Sequence, residues 1–511
     1  MPLGSGGAFD APPLLQGGGG VAAWPSIADP SLSSPHPAFP LADFLSEGDT
    51  VRALSLWYGE RNMAGHSRVE LLFALDRDVA RLDALLSAQV DAILHHPRLQ
   101  HLEASWRGLL YLTGHAAAKA QIRIKVMDVR WSEICRDVTR TPEFDQSQFF
   151  RIIHDQEFGM PGGEPFGLIL GDYEVRHRPF PDYVTDDVAG LEGVSHVAAA
   201  AFVPFVVGAH PALLGLERYE DVTVLTDMAA PFQQEEYRRW KTLQKSDDSR
   251  FIGVVAPRVL MRPPYGNDPV RWDGFCYRET SENIADHLWG SAVYAFGAVV
   301  IRAYAEYNWN ADIRGVKKDT DAGGLVTDLP ILSFETDRPG VAFRYSTQCY
   351  LTDRQENDLC ELGLLSLTNC QYTPYSAFFS NASMQRVSVY DRQVATINAR
   401  MSAMLQNMLC VSRFAHYIKV MARDWVGSLI TAEECERRIG SWLENYCTGN
   451  DNAGFEAKAR SPLREASVTI QERPDLPGVF FATVFLKPHF QLDHMVSGFK
   501  LVTTLPGKQG S

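Results

Sequence analysis

The 511-residue sequence holds no run of 18 uninterrupted apolar residues, so it offers no helix built to span a bilayer. No charged segment precedes an apolar one near its start, so no secretion signal is read and the expected location is cytoplasmic. It lacks an excess of positive charge: the formal net charge of -14 argues against nucleic acid as the main partner. Its eight cysteines (Cys135, Cys276, Cys349, Cys360, Cys370, Cys410, Cys435 and Cys447) show neither CxxC pairing nor finger spacing. In a reducing compartment they are expected as free thiols, several of them small core residues.

Signatures of chemistry are missing too. There is no GxSxG elbow, no HExxH and no kinase set. Residues 159–167 are glycine-rich, but they lack GK[ST] and GxGxxG spacing and their prolines remove backbone donors, so they read as a turn. His489, Asp493 and His494 come nearest to a metal set. Steps of four and one do not put three ligands on one helical face, and Pro488 points to a loop. His95, His96 and His101 sit at a helix end and read as capping groups. Glu103 and Arg107 read as an i,i+4 ion pair around a buried Trp106. No catalytic residue, cofactor or metal is therefore expected; an enzyme using His489 and Asp493 is the alternative from another class.

What is present is an ordinary globular composition, 45% hydrophobic and 22% charged, in a chain long enough for two to four domains. Residues 1–40 are Gly-, Pro- and Ser-rich and bury too little to offset their ordering entropy. A helical patch is expected over 40–58. Leu75, Val79, Leu82, Leu85, Leu86, Val90, Ile93 and Leu94 recur at steps of three and four, predicting a helix over 75–95 that Pro97 ends. A second helix, 99–114, carries Leu102, Trp106, Leu109, Leu110 and Leu112, completing a helical hairpin. Two readings of its apolar positions stand level: core packing, or a dock for a partner's helix.

Over 120–390 short strands alternate with helices, which predicts an α/β (mixed α+β) body. Strands are expected at 121–129, 166–173 and 251–261, and a long, nearly all-apolar helix at 288–307. Another long helix is expected at 392–425. On it Arg413, His416, Lys419 and Arg423 form one basic stripe, either solvated and paired within the chain or an intersubunit contact that sets register. Thr431 and Glu434 form a capping-box start for the helix at 431–447. The C-terminus turns to β structure: Ala466, Val468 and Ile470 alternate with polar residues, a turn follows at 474–478, then come strands at 479–486 and 499–505. The strand at 479–486 is apolar on both faces. A neighbouring protomer can cover such a strand by strand addition, which makes Val484, Leu486, Phe499 and Leu501 candidate inter-protomer positions.

Seven stretches in order, 85–97, 102–108, 162–167, 288–290, 328–330, 412–419 and 487–491, together resemble one family across about 70–506. It is the large sheath subunit of the bacterial type VI secretion system (TssC/VipB, ImpC/EvpB). The resemblance implies a structural protein whose C-terminal half is like the sheath proteins of contractile phage tails. Its implied partners are a small sheath subunit (TssB/VipA-like), further copies of itself in stacked hexameric rings, an inner tube of Hcp, a baseplate and the disassembly ATPase ClpV; no membrane and no nucleic acid are implied. It divides the chain into a flexible extension (1–70), a hairpin docking the small subunit through Leu82, Leu86, Ile93 and Trp106 (71–118), the body (119–390), and C-terminal helices with inter-protomer strands (391–511). The first 70 residues depart from the family pattern, with 41–47 the only faint counterpart of its ATPase-recognition segment. That departure raises the alternative of a paralogue that caps or regulates the sheath without long polymers.

Overall fold

The computed structural model describes the chain apart from residues 1–40, 60–65, 117–120, 161, 226, 267–274, 276, 282, 318–319, 333–344, 372, 389, 426–430, 451–452, 473–479, 490–498 and 506–511. Two compact units emerge: 1–90 with 267–277, and 91–266 with 278–511.

The first unit is helical among the described residues: α1 (Leu41–Ser46), α2 (Thr50–Tyr58) and most of α3 (Arg68–Leu94). Asp49 caps α2 by accepting from the amide of Val51. Its small core gathers Tyr58 and Ala74 with Leu54, Trp57 and Leu75. The expected flexible extension of 1–70 thus contains two short helices, and α3 begins seven residues before the apolar periodicity does. Residues 1–40 lie outside the described residues.

The second unit is built on a six-stranded sheet. The strands of the chain are β1 (Ile169–Val175), β2 (Phe205–Ala209), β3 (Ile252–Ala256), β4 (Val259–Arg262), β5 (Leu288–Gly290), β6 (Val316–Lys317), β7 (Thr320–Gly323), β8 (Leu325–Val326), β9 (Leu365–Asn369), β10 (Ser376–Phe378), β11 (Leu463–Glu472), β12 (Phe480–Pro488) and β13 (Phe499–Leu505). The main sheet runs β1-β2-β3-β9-β10-β8, parallel through β9 and antiparallel beyond it. Every residue of β2 and β3 is buried, as expected of Val- and Ile-rich parallel strands covered on both faces. The cover includes three helices: α6 (Asp187–Ala201), crossing from β1 to β2; α7 (Val293–Tyr307), with ten buried residues; and α9 (Leu405–Asp424), with twelve. Ahead of these lie α4 (Pro97–Ala116) and α5 (Trp131–Arg140), and α8 (Gln393–Ser402) and α10 (Ala432–Glu444) precede and follow α9 along the chain. β11, β12 and β13 form a separate antiparallel sheet, with α10 against β11.

Local chemistry accounts for the differences from the sequence expectations. Pro97 both closes α3 and opens α4, where a missing N–H costs nothing. The strand expected at 251–261 is two strands, because Pro257 cannot donate to a ladder. The helix expected from 288 is preceded by β5, which pairs with β4. The helix expected over 392–425 is two: Met404 is extended, bridges to Ala382, and the amide of Leu405 donates to Asn381 at 2.9 Å. Residues 121–129 form no strand. Thr431 caps α10 through the amide of Glu434, as its sequence indicates.

Candidate interaction surfaces

Within the first unit, α3 is held against α2 through one buried carboxylate. Asp78 accepts from the Trp57 indole at 3.0 Å and from the Tyr58 hydroxyl at 2.9 Å. Burial and that carboxylate push the Tyr58 hydroxyl up, keeping it a donor at any physiological pH. Past Asp78 most apolar positions of α3 are exposed: Val79, Leu82, Leu85 and Leu86, Leu86 by 50%, whereas Val90 and Leu94 are half-buried. A contiguous row of this kind on a folded helix is unusual for a surface that stays in water.

In the second unit α4 has two distinct apolar faces. Ala104, Gly108 and Leu112 face inward. Gly108 lies so close to the Tyr294 ring of α7 that a Cβ there would sit 2.3 Å from it, so only glycine permits this contact. Leu102, Trp106 and Leu110, again at steps of four, face outward, 53%, 65% and 70% exposed. Trp106 is therefore a surface residue, not the buried centre of the Glu103–Arg107 pair, although that pair forms at 2.7 Å. Ile93, near the C-terminal end of α3, is also exposed.

An ion network that the sequence did not disclose fixes α4 to the end of β4, in the two-stranded β4–β5 sheet. Arg262, at the end of β4 and buried, pairs with Glu279 at 2.5 Å and with Glu103 of α4 at 2.8 Å. Glu279 also accepts from the amide of Tyr265 and lies 3.1 Å from His95. Its burial would raise its pKa, but Arg262 and that amide together hold it below the usual carboxylate value. Residues 159 positions apart in sequence meet here, so no local pattern could announce them.

The basic stripe occupies one face of α9, as its spacing indicates, but its side chains are taken up within the chain. His416 is buried, donates from Nε2 to the carbonyl of Ala201 at 3.0 Å, and is pushed down to about 3, chiefly by burial. Lys419 lies over the rings of Phe158 and Phe202, and burial lowers it to about 8. Arg413 sits over Tyr304 and Tyr417. Arg423 donates to the carbonyls of Phe158 and Met160 at 3.3 and 2.8 Å, at the C-terminal end of the π-helix Arg151–Gly159, where cations are favoured. The physical reason is the aromatic and carbonyl cover supplied by residues distant in sequence, at 158–160, 201–202 and 304.

Among the C-terminal strands, Val484 and Leu486 are fully buried in the chain's own core. Their side chains are not available to a neighbour, which corrects the expectation that this face is covered from outside. Phe499 and Leu501 pair through the backbone with Leu486 and Val484 of β12. His489 donates its amide to Pro462 at 2.8 Å, while Asp493 and His494 lie outside the described residues. Among the described residues no three His, Cys, Asp or Glu side chains gather as metal ligands, and the seven described cysteines are unpaired.

Polar groups also meet at the carboxyl ends of β1, β2 and β3, the usual ligand position of an open parallel sheet. There Glu174 is ion-paired with Arg258, Arg176 reaches His210 at 3.3 Å, and burial pushes His210 down to about 4. These groups are engaged with one another. A cleft of about 430 Å³ beside α4 is lined mainly by Leu110, Tyr111, Leu260, Met261 and Leu329, with Arg107, His115 and Asp328 at its polar side. No helix among the described residues is long and apolar enough to cross a membrane.

Comparison with known proteins shows the family. A family model described as "EvpB/VC_A0108, tail sheath N-terminal domain" matches residues 76–385, and "EvpB/VC_A0108, tail sheath gpW/gp25-like domain" matches 394–505. The chain is 34% identical over 438 residues to the type VI secretion system sheath protein TssC1 of Pseudomonas aeruginosa, covering 85% of this chain and 86% of that relative. The body is of mixed helix and sheet, and the chain belongs to the VipB/EvpB family of type VI secretion sheath proteins, as a structural sheath subunit.

Proposed function

We propose that this chain is the large subunit of a contractile sheath: it polymerises with a small sheath subunit (TssB/VipA-like) into stacked hexameric rings around an inner Hcp tube and contracts to propel that tube. The sheath is cytoplasmic, starts from a baseplate, and is taken apart after contraction by the ATPase ClpV. No chemistry is needed at this subunit; the work comes from the free-energy difference between an extended lattice and a better-packed contracted one.

The observation that supports this best is the uncovered apolar surface of the two hairpin helices. Leu82 and Leu86 on the first unit, and Ile93 and Trp106 on the second, are assigned to the small subunit. Burying such rows is worth roughly 25 cal/mol per Å². In this reading 71–118 is the docking hairpin, 119–390 the body, and 391–511 the region that links protomers. Because Val484 and Leu486 serve the chain's own core, that link runs through the backbone edges of the C-terminal sheet.

Co-expression with a small sheath subunit followed by negative-stain microscopy tests the proposal. Long tubules are expected. Short rings that never elongate favour a capping paralogue, which the divergent first 70 residues would suit, and discrete monomers contradict both.

A further inference from the structure

Among the described residues, the main chain of 121–128 has unused hydrogen-bonding capacity. Ile122 and Ile124 alternate with Arg123 and Lys125, and the burial alternates with them: the isoleucines are half-covered and the cations exposed. None of the eight residues has a positive φ. Yet among the described residues no N–H or C=O of 121–128 bonds to another main-chain group. In a folded protein such groups are normally paired or left to water.

The segment is nevertheless anchored. Ile124 packs on the same core cluster as Leu168 and Leu170. Arg123 pairs with Glu164 at 2.8 Å, and Lys125 pairs with Glu157 and lies over Phe166. Just beyond, the carbonyl of Val129 accepts from Tyr173 at 2.6 Å, and the amide of Arg130 donates to Glu133 at 2.9 Å. Side chains thus hold the segment while its backbone has no main-chain partner among the described residues, with Val126 70% and Met127 43% exposed. β1 is itself the sheet's edge strand, with β2 its only ladder partner among the described residues.

We propose that 121–128 is a docking strand that takes up an extended segment of the small sheath subunit by β-strand addition; this rests on the function proposed above. Backbone chemistry selects the occupant. A helix satisfies its own N–H and C=O groups and cannot use these, whereas an extended peptide can. Apolar, β-branched or aromatic residues in that peptide would meet Val126 and Met127. Two copies of 121–128 pairing with each other would close a two-fold dimer, which a head-to-tail lattice does not contain. The segment also follows α4, whose outward Trp106 is assigned to the same partner, after only four intervening residues.

Amide hydrogen exchange on the full chain, alone and co-purified with the small sheath subunit, tests this. Alternate amides of 121–128 should exchange freely in the isolated chain and slow by about 100-fold in the complex. Proline scanning gives the second readout. Of V126P and M127P, the variant that removes a ladder donor should weaken the complex by about tenfold and the other by far less. A complex that forms with 121–128 still unprotected overturns the docking strand and leaves the sheath reading intact. Failure to form any complex overturns both, and protection that appears in the isolated chain on concentration overturns the choice of partner in favour of self-pairing.

Discussion

Helices α3 and α7 are both rich in apolar residues, yet they meet opposite fates. In α7 ten of fifteen residues are buried beneath the main sheet and none stands out as an exposed large apolar side chain. In α3 only Ala74 and Asp78 are buried, while Leu72, Phe73, Val79, Leu82, Leu85, Leu86 and Ile93 are all exposed. The difference lies in what each helix lacks. Apolar all round, α7 has no polar face and must be enclosed. By contrast α3 alternates its apolar row with Asp76, Arg77, Arg81 and Asp83, so it has a polar side that faces water while the apolar row stays exposed. Burial in the chain therefore marks the part that holds itself together, and exposed periodicity marks the part that the proposed function gives to another chain.

Removing a side chain from the enclosed region should do the most damage. Phe414 of α9 is fully buried and stacks on Trp309 with ring centroids 4.1 Å apart. Phe414→Ala should cost about 3–5 kcal/mol, read as a fall in denaturation midpoint at unchanged slope. A smaller effect separates the enclosed region from the exposed one by pH. The folded pKa of His416 is about 3, below its unfolded value of 6.5. Between these values the unfolded chain holds the extra proton, so stability contributed here is complete above about pH 6.5 and drains away as the pH falls towards 3. At about pH 4.5 the loss should reach roughly 2–3 kcal/mol. His416→Leu should flatten that part of the stability–pH curve; an unchanged curve would mean that the imidazole is solvated. In the first unit, where little is buried, truncation of Leu82 or Leu86 should shift stability by less than about 0.5 kcal/mol.

Much of this division was legible in the sequence, for reasons visible in particular residues. The steps of three and four in α3 and α4 fixed both helices, and Leu82, Leu86, Ile93 and Trp106 proved to be exposed. Periodicity could not say which face of α4 turns inward, because that depends on Gly108 meeting Tyr294, almost 190 residues later. The stripe Arg413, His416, Lys419 and Arg423 was correct as a face of α9, but Phe158, Phe202 and the carbonyl of Ala201 decide its environment. The break at Met404 escaped notice because apolar spacing runs straight through it. Val484 and Leu486 read as apolar positions needing cover, and only the fold shows that the chain supplies it. The alternation at 121–129 was real, and what failed was the inference that alternation implies a ladder within the same chain.

The claim that α3 is built for another chain is tested most directly by the double substitution Leu82→Ser and Leu86→Ser, with thermal unfolding and binding to the small sheath subunit measured on the same preparation. The account predicts a melting temperature within about 2 °C of the parent and at least a 100-fold weaker complex. Unchanged binding, or a collapse in stability that accompanies its loss, would contradict it.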